Sequence, residues 1–272
     1  MKAPTMNRVW LNLLNDILEG GDPVSPRGQA TLELPQKTIV VNMRSPVLTL
    51  PQRLLNYRFM AAEAFWILTG DNRVETIAPY NSHISQFSDD GVTFFGAYGP
   101  KIISQLTYVV DKLRDDEVTR QAGLTLWREN PPTTKDVPCT IAIWFQIRDR
   151  HLNCHVFMRS SDVWLGIPYD VFNFSMLAHL VCARYRDDGN VASRFKRRPI
   201  SPGNLYLTAA SSHLYERNHA SAEDCLRHGE NVPIPHETPT TLYDSEAFLL
   251  TVLEKLRDSK PGDPLRWWEV AS

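Results

Sequence analysis

Residues 137–170 read VPCTIAIWFQIRDRHLNCHVFMRSSDVWLGIPYD, and this stretch decides the fold. Two runs rich in β-formers, Thr140–Ile147 and Leu152–Met158, flank a polar turn at Arg148–His151, which predicts a pair of strands joined by a turn. The second strand ends in charge, with Arg159 and Asp162 close together. Gly166 and Pro168 then punctuate a turn, and Asp170 precedes a mostly apolar segment, Val171–Tyr185, long enough for a buried helix. Each polar residue has an ordinary reading. Arg159 and Asp162 could form a local salt bridge, and Asp170 could be a helix N-cap. Cys139, at a strand edge after a proline, could be a small buried hydrophobe. A reactive thiolate needs a cationic surrounding, which Arg159 could supply, although spacing alone does not bring the two together.

Outward from this stretch, helices and strands mix without regular alternation. Apolar spacing predicts a helix over Asn7–Leu18, stopped by Gly20-Gly21. Asp22–Gly28 reads as a polar loop, and Thr31–Leu34 and Thr38–Asn42 as a short strand pair around Pro35-Gln36. A helix over Leu54–Leu68 ends at Gly70, and Asp71–Gly91 is polar and irregular. Pro100 suits the first turn of a helix running to about Leu113. Gly123–Trp127 reads as a strand and Asn130–Asp136 as a proline-rich loop. Asn204–Thr208 is a further strand, with helices from Leu214 onward and over Ser245–Arg257. These elements predict an α+β fold with a mixed sheet flanked by helices, in a single domain spanning 1–272.

The chain has 272 residues, is 43% hydrophobic and carries a formal charge of -2. That balance argues against a general polyanion binder, so no stable nucleic-acid binding is expected, yet a few arginines suffice for a small anion. The run Ser193–Arg198 (SRFKRR) reads first as a solvated loop. Four cysteines (Cys139, Cys154, Cys182 and Cys225) make no CxxC pair, so no metal site is expected. There is no cleavable signal pattern and no apolar run of membrane-spanning length, which predicts a cytoplasmic protein with free thiols. Glycine-rich phosphate loops, GxSxG and HExxH are absent.

From Cys139 to Asp170 the chain resembles, without a gap, the signature of thymidylate synthases. Pro138-Cys139 lies at that family's nucleophile position, Arg159-Ser160-Ser161-Asp162 matches its Arg-Ser-x-Asp, and Gly166-Ile167-Pro168-Tyr169 its Gly-Leu-Pro-Phe. Glu63–Gly70 (EAFWILTG), Arg27-Gly28, Tyr98-Gly99, Thr119-Arg120-Gln121 and Ser212-His213-Leu214-Tyr215 with Asn218-His219 follow in the family's order. The resemblance covers roughly Asn7–Leu256. It implies a homodimer through the sheet and a covalent adduct of Cys139 with carbon 6 of a pyrimidine deoxynucleoside monophosphate. Carbon 5 then takes a one-carbon unit from 5,10-methylenetetrahydrofolate. By the same resemblance Arg27, Arg159 and Ser160 hold the phosphate, and Arg120 reaches the other subunit's phosphate, with Gln121 replacing a second arginine. His213 and Tyr215 bind the sugar, Asp162 holds the pterin, Glu63 organises water and proton transfers, and Tyr98 sits near the leaving proton.

Three departures bear on the reaction. Asp170 stands where thymidylate synthases have Asn, as in dCMP hydroxymethylases. A carboxylate accepts from the exocyclic amine of cytosine but faces the uracil carbonyl with like polarity. Ser82–Phe87 (SHISQF) lacks the Trp that shields the methylene intermediate, and Thr140 replaces a His. Trp267 or Trp268 in the C-terminal LRWWEVAS could restore the shield, although packing on the core is the plainer role. The expected product is 5-hydroxymethyl-dCMP, which would suit a virus acting in its host's cytoplasm. A dCMP methyltransferase, a thymidylate synthase proper, and a nucleotide- or RNA-binding protein without catalysis are the alternatives.

Overall fold

The computed structural model describes residues 4–187, 198–229 and 237–259. Residues 193–197 of the basic run, and the C-terminal LRWWEVAS with Trp267 and Trp268, lie outside them. In chain order the main elements are α1 (Met6–Gly20), β1 (Asp22–Val24), β2 (Thr31–Asn42), α2 (Tyr57–Leu68), α3 (Val74–Ile77), α4 (Tyr98–Asp115) and β3 (Gly123–Thr125). They continue with β4 (Thr140–Arg148), β5 (His151–Met158), β6 (Ser161–Asp162), α5 (Ile167–Arg186), β7 (Ser201–Tyr215), α6 (His219–His228) and α7 (Glu246–Arg257). The strands form one mixed sheet ordered β1-β2-β7-β5-β4-β3, with β6 beside β7. β7 runs parallel to β5 and β6 and antiparallel to β2, and the other pairs are antiparallel. The fold is α+β, as the mixed pattern predicts.

Alternation along the strands decides which sheet face is covered. Leu152, Cys154, Val156 and Met158 of β5 and Leu205, Leu207 and Ala209 of β7 are buried. α5 lies over these two strands, α1 over β2, and α2 and α4 pack on α5. α5 is buried almost all round, as a helix in the middle of a core must be. The opposite face is more open. Phe157 is 43% and Ile141 38% exposed, and His155 stacks on Tyr206 with ring centroids 4.7 Å apart.

Five expectations need correction. Thr31–Leu34 and Thr38–Asn42 are one strand, because β2 pairs with β7 in unbroken register from Thr31↔Tyr215 to Asn42↔Asn204, and Gln36 absorbs the irregularity with φ 50°. Leu214 is not helical: β7 is held to Tyr215 by β2 and β6, and α6 starts only at His219. Asp170 is not an N-cap, since Gly166 holds that place and the Asp170 amide already donates to Gly166 O. Arg159 and Asp162 form no salt bridge; Asp162 Oδ1 instead accepts the Trp164 and Leu165 amides, both at 2.8 Å. Asp22–Val24, read as loop, pairs with Thr31–Glu33.

Candidate active site

Six of the residues singled out by the sequence, drawn from several elements, line one cavity, and Arg120 lies outside it. A bulge between Thr140 and Ala142 opens β4 and buries both Ala142 and Ile143, with Cys139 just before it. Bulges concentrate beside functional sites because they re-aim the strand. β6 is short, but its pairing with Ser212-His213 sets Ser160 against His213, at 3.3 Å from Oγ to Nδ1. The segment after β6 is pinned twice: the Trp10 indole donates to Val163 O at 2.7 Å, and Arg53 donates to Trp164 O at 2.6 Å while lying 4.6 Å over the Trp164 ring. That pinning fixes where α5 begins, and so fixes Asp170.

Cys139, Glu63, Tyr98, Asp170, Asp162 and Ser160 all line one cavity of about 750 Å³. Arg159 and His213 touch its lining through Cys139 and Ser160, and Tyr215 packs on His213. Arg159 Nη2 lies 3.6 Å from Cys139 Sγ and also donates to Val137 O, while Nε donates to Pro138 O. The guanidinium thus holds the Cys139 segment in place and supplies the cation that the sequence alone could not locate. Arg27, in a turn with φ 54°, is close enough for its charge to act on Cys139 and His213. The His213 and Tyr215 rings meet edge to face at 5.3 Å. Arg120 is exposed and outside this cavity.

The electrostatics separate the acids. Burial pushes the Cys139 thiol up; Arg159 and Arg27 pull it down, and Asp170 and Asp136 raise it further. Burial also raises Asp170 to about 8, helped by the nearby Glu63 and Asp162 carboxylates. A helix N-terminus alone would favour the ionised form, so loss of water wins here. Glu63 rises to about 7 by burial, opposed by a 2.7 Å hydrogen bond from Asn173 Nδ2. Tyr98 is raised far above its usual value by burial and by Asp170 and Cys139. Its hydroxyl accepts from both the Thr140 amide, at 3.1 Å, and the Thr140 hydroxyl, at 3.0 Å, which leaves its own proton to be donated.

Three residues of this site escaped the sequence reading. Asn173 sits three positions after Asp170 on the same helix, a spacing that puts both on one face and could have revealed it. Asp136 was read as loop, and Arg53 has no local pattern to mark it.

The Glu63 shift has a thermodynamic consequence. Its folded value, about 7, lies above the ordinary 4.5, so between these pH values the folded chain holds the proton more tightly. The stability this contributes is fully present below pH 4.5 and is lost as pH rises through 7. Denaturant unfolding of the ligand-free protein should show stability falling over that window, and Glu63→Gln should remove roughly 1–3 kcal/mol of the fall. Parallel pH profiles for the two proteins would contradict it.

The deoxyuridylate hydroxymethyltransferase of Bacillus phage SP01 is 30% identical over 183 residues, which cover 58% of this chain and 47% of the phage protein. The chain therefore spans about half the length of that relative. The family model for thymidylate synthase matches residues 8–244. With most of its length matched by that model, the chain belongs to the thymidylate synthase family.

Proposed function

We propose that this protein transfers a one-carbon unit from 5,10-methylenetetrahydrofolate to carbon 5 of a pyrimidine deoxynucleoside monophosphate, converting dCMP to 5-hydroxymethyl-dCMP. The observation that carries this reading is Asp170, a carboxyl raised to about 8 in the same cavity as Cys139 and Glu63. With its proton on, it offers one donor and one acceptor, the complement of cytosine's ring nitrogen and exocyclic amine. Its neutrality also removes a negative charge that raises the Cys139 thiol.

In this reading Cys139 adds to carbon 6, making carbon 5 nucleophilic. Ser160 on the cavity wall and Arg27 and Arg159 beside it hold the phosphate, with Arg120 of a second copy completing the set across a dimer formed on the open sheet face. His213 and Tyr215 bind the sugar hydroxyl. The Tyr98 hydroxyl stands beside the nucleophile, and Glu63, near neutrality in its own titration, relays protons through water. Methylenetetrahydrofolate, when bound, supplies the electrophilic carbon. The cavity suits such a cosubstrate: its size falls in the range typical of small-molecule sites. Trp66, Ile84, Phe87 and Phe94 give it an apolar wall, and Asp162 keeps Oδ2 without a partner among the described residues.

The hydroxymethyl product is favoured by the short helical segment Ser82–Phe87. It lines the cavity with His83, Ile84, Gln86 and Phe87, none of which is an indole. dUMP is the second reading, favoured by the name of the phage relative and by the neutral Asp170, which can also pair with uracil by exchanging its donor and acceptor oxygens.

Incubating the protein with dCMP or dUMP and methylenetetrahydrofolate, and weighing the nucleotide product, tests the proposal. Hydroxymethyl-dCMP is expected. A methyl product would show that the site excludes water, and hydroxymethyl-dUMP or dTMP alone would show that Asp170 does not select cytosine. No product from either nucleotide would leave a binding protein.

A further inference from the structure

The route above leaves Asp136 without a task. It stands three residues before Cys139, and Asp136, Val137, Pro138 and Cys139 all line the cavity. Its placement is specific. Oδ2 accepts the Gly96 amide at 2.6 Å, which ties the carboxylate to the segment leading into Tyr98. Gly96 has no room for a side chain, because a Cβ there would fall 2.3 Å from Asp136 O. The Asp136 amide donates to Thr134 Oγ1 at 3.1 Å. Oδ1 has no hydrogen-bond partner among the described residues. Its charge is felt at Cys139.

The other acids of the cavity already have tasks in the proposed reading. Glu63, held through Oε2 by Asn173, serves the proton relay, Asp162 is fixed through Oδ1 in the turn before α5 and keeps Oδ2 for the cosubstrate, and Asp170 faces the base. Asp136 follows a loop, residues 129–133, that is exposed throughout, so its carboxylate stands next to solvent-exposed chain. We infer that Asp136 is a further catalytic residue, the base that takes a proton from the water attacking the one-carbon unit. This rests on the hydroxymethyl reading above.

The step balances without an oxidant or reductant. Once carbon 5 has lost its proton and tetrahydrofolate has left as an amine, the substrate carries an exocyclic methylene at carbon 5 and is still bonded to Cys139 through carbon 6. The water oxygen forms a bond to the methylene carbon, and the methylene π pair moves into the ring. The water proton passes to Asp136 Oδ1. The ring pair then re-forms the double bond between carbons 5 and 6, the carbon–sulfur bond breaks, and the Cys139 thiolate is released. Burial pushes the Asp136 carboxyl up, against the pull of the Gly96 amide and Lys101, which makes it a stronger base than a solvated aspartate.

Asp136→Asn preserves the acceptor for the Gly96 amide and removes the base. With dCMP tritiated at carbon 5, tritium release reports every step up to the exocyclic methylene, and 2-mercaptoethanol captures that methylene as a thioether. The variant should release tritium within about threefold of the parent, form hydroxymethyl product about a hundredfold more slowly and accumulate the thioether. Asp136→Glu should restore part of the hydroxymethyl rate. Hydroxymethyl formation that keeps pace with tritium release in Asp136→Asn and Asp136→Ala overturns the role, and so does a parallel fall of both signals. A parent protein that releases tritium but yields only a methyl product overturns the hydroxymethyl reading itself, a result distinct from either.

Discussion

Replacing Cys139 with alanine is expected to lower product formation by on the order of 10⁴-fold or more while leaving nucleotide binding within about tenfold. The asymmetry follows from the division of labour in the site. The groups proposed to hold the phosphate, Arg27 and Ser160, make no hydrogen bond to the thiol, and Arg159 reaches it with one nitrogen while its remaining bonds go to the Val137 and Pro138 carbonyls. Losing Sγ therefore removes the covalent route and spares the anion site. Burial, with a smaller contribution from Asp136, pushes the free thiol up against the pull of Arg159, so a thiolate must be generated when substrate arrives. Turnover by equilibrium exchange of tritium from carbon 5, with binding followed by calorimetry, separates the two effects. Retained tritium exchange in Cys139→Ala would remove the nucleophile from the mechanism, and loss of binding together with turnover would mean the change had unfolded the site.

How much of this was legible beforehand depended on distance along the chain. The β4–β5 pair and helices α2, α4 and α7 follow from local periodicity and punctuation, because everything that specifies them lies within about twenty residues. β2 and β7 do not. Their partners are some 170 residues apart, so Pro35-Gln36 looks like a turn until an unbroken ladder with β7 is seen to carry the strand past it. Leu214-Tyr215 likewise reads as a helix start when its pairing with Thr31-Leu32 is invisible. At the candidate site, ordered motifs named Cys139, Glu63, Tyr98, Ser160, Asp162 and Asp170, and the structure gathers them at one cavity. The motifs could not show that Arg159 folds back onto Cys139, that Thr140 donates twice to Tyr98, or that Asn173 pairs with Glu63. Those contacts depend on how the bulge, the pinned segment after β6 and the first turns of α5 are set against one another.

Asp170→Asn is expected to shift the ratio of kcat/KM for dCMP over dUMP by roughly a hundredfold toward dUMP. A neutral carboxyl carries its proton on either oxygen and so adapts to both bases, whereas an amide fixes its donor on nitrogen and its acceptor on oxygen. An amide set with its donor at the carbonyl of carbon 4 leaves the cytosine amine facing another donor, and a buried mismatch of that kind costs about 1–3 kcal/mol for each unpaired group. The N-cap explanation for Asp170 makes no such prediction, and it is already displaced because Gly166 occupies that position. The same substitution should act on the thiol. Asp170 raises Cys139, so removing its charge should move the pH profile of Cys139 alkylation to lower pH, most visibly above about 8, where Asp170 ionises. The two readouts discriminate between roles. A shifted alkylation profile with an unchanged base preference would keep Asp170 as an electrostatic neighbour of Cys139 and end its assignment as the residue that reads the base.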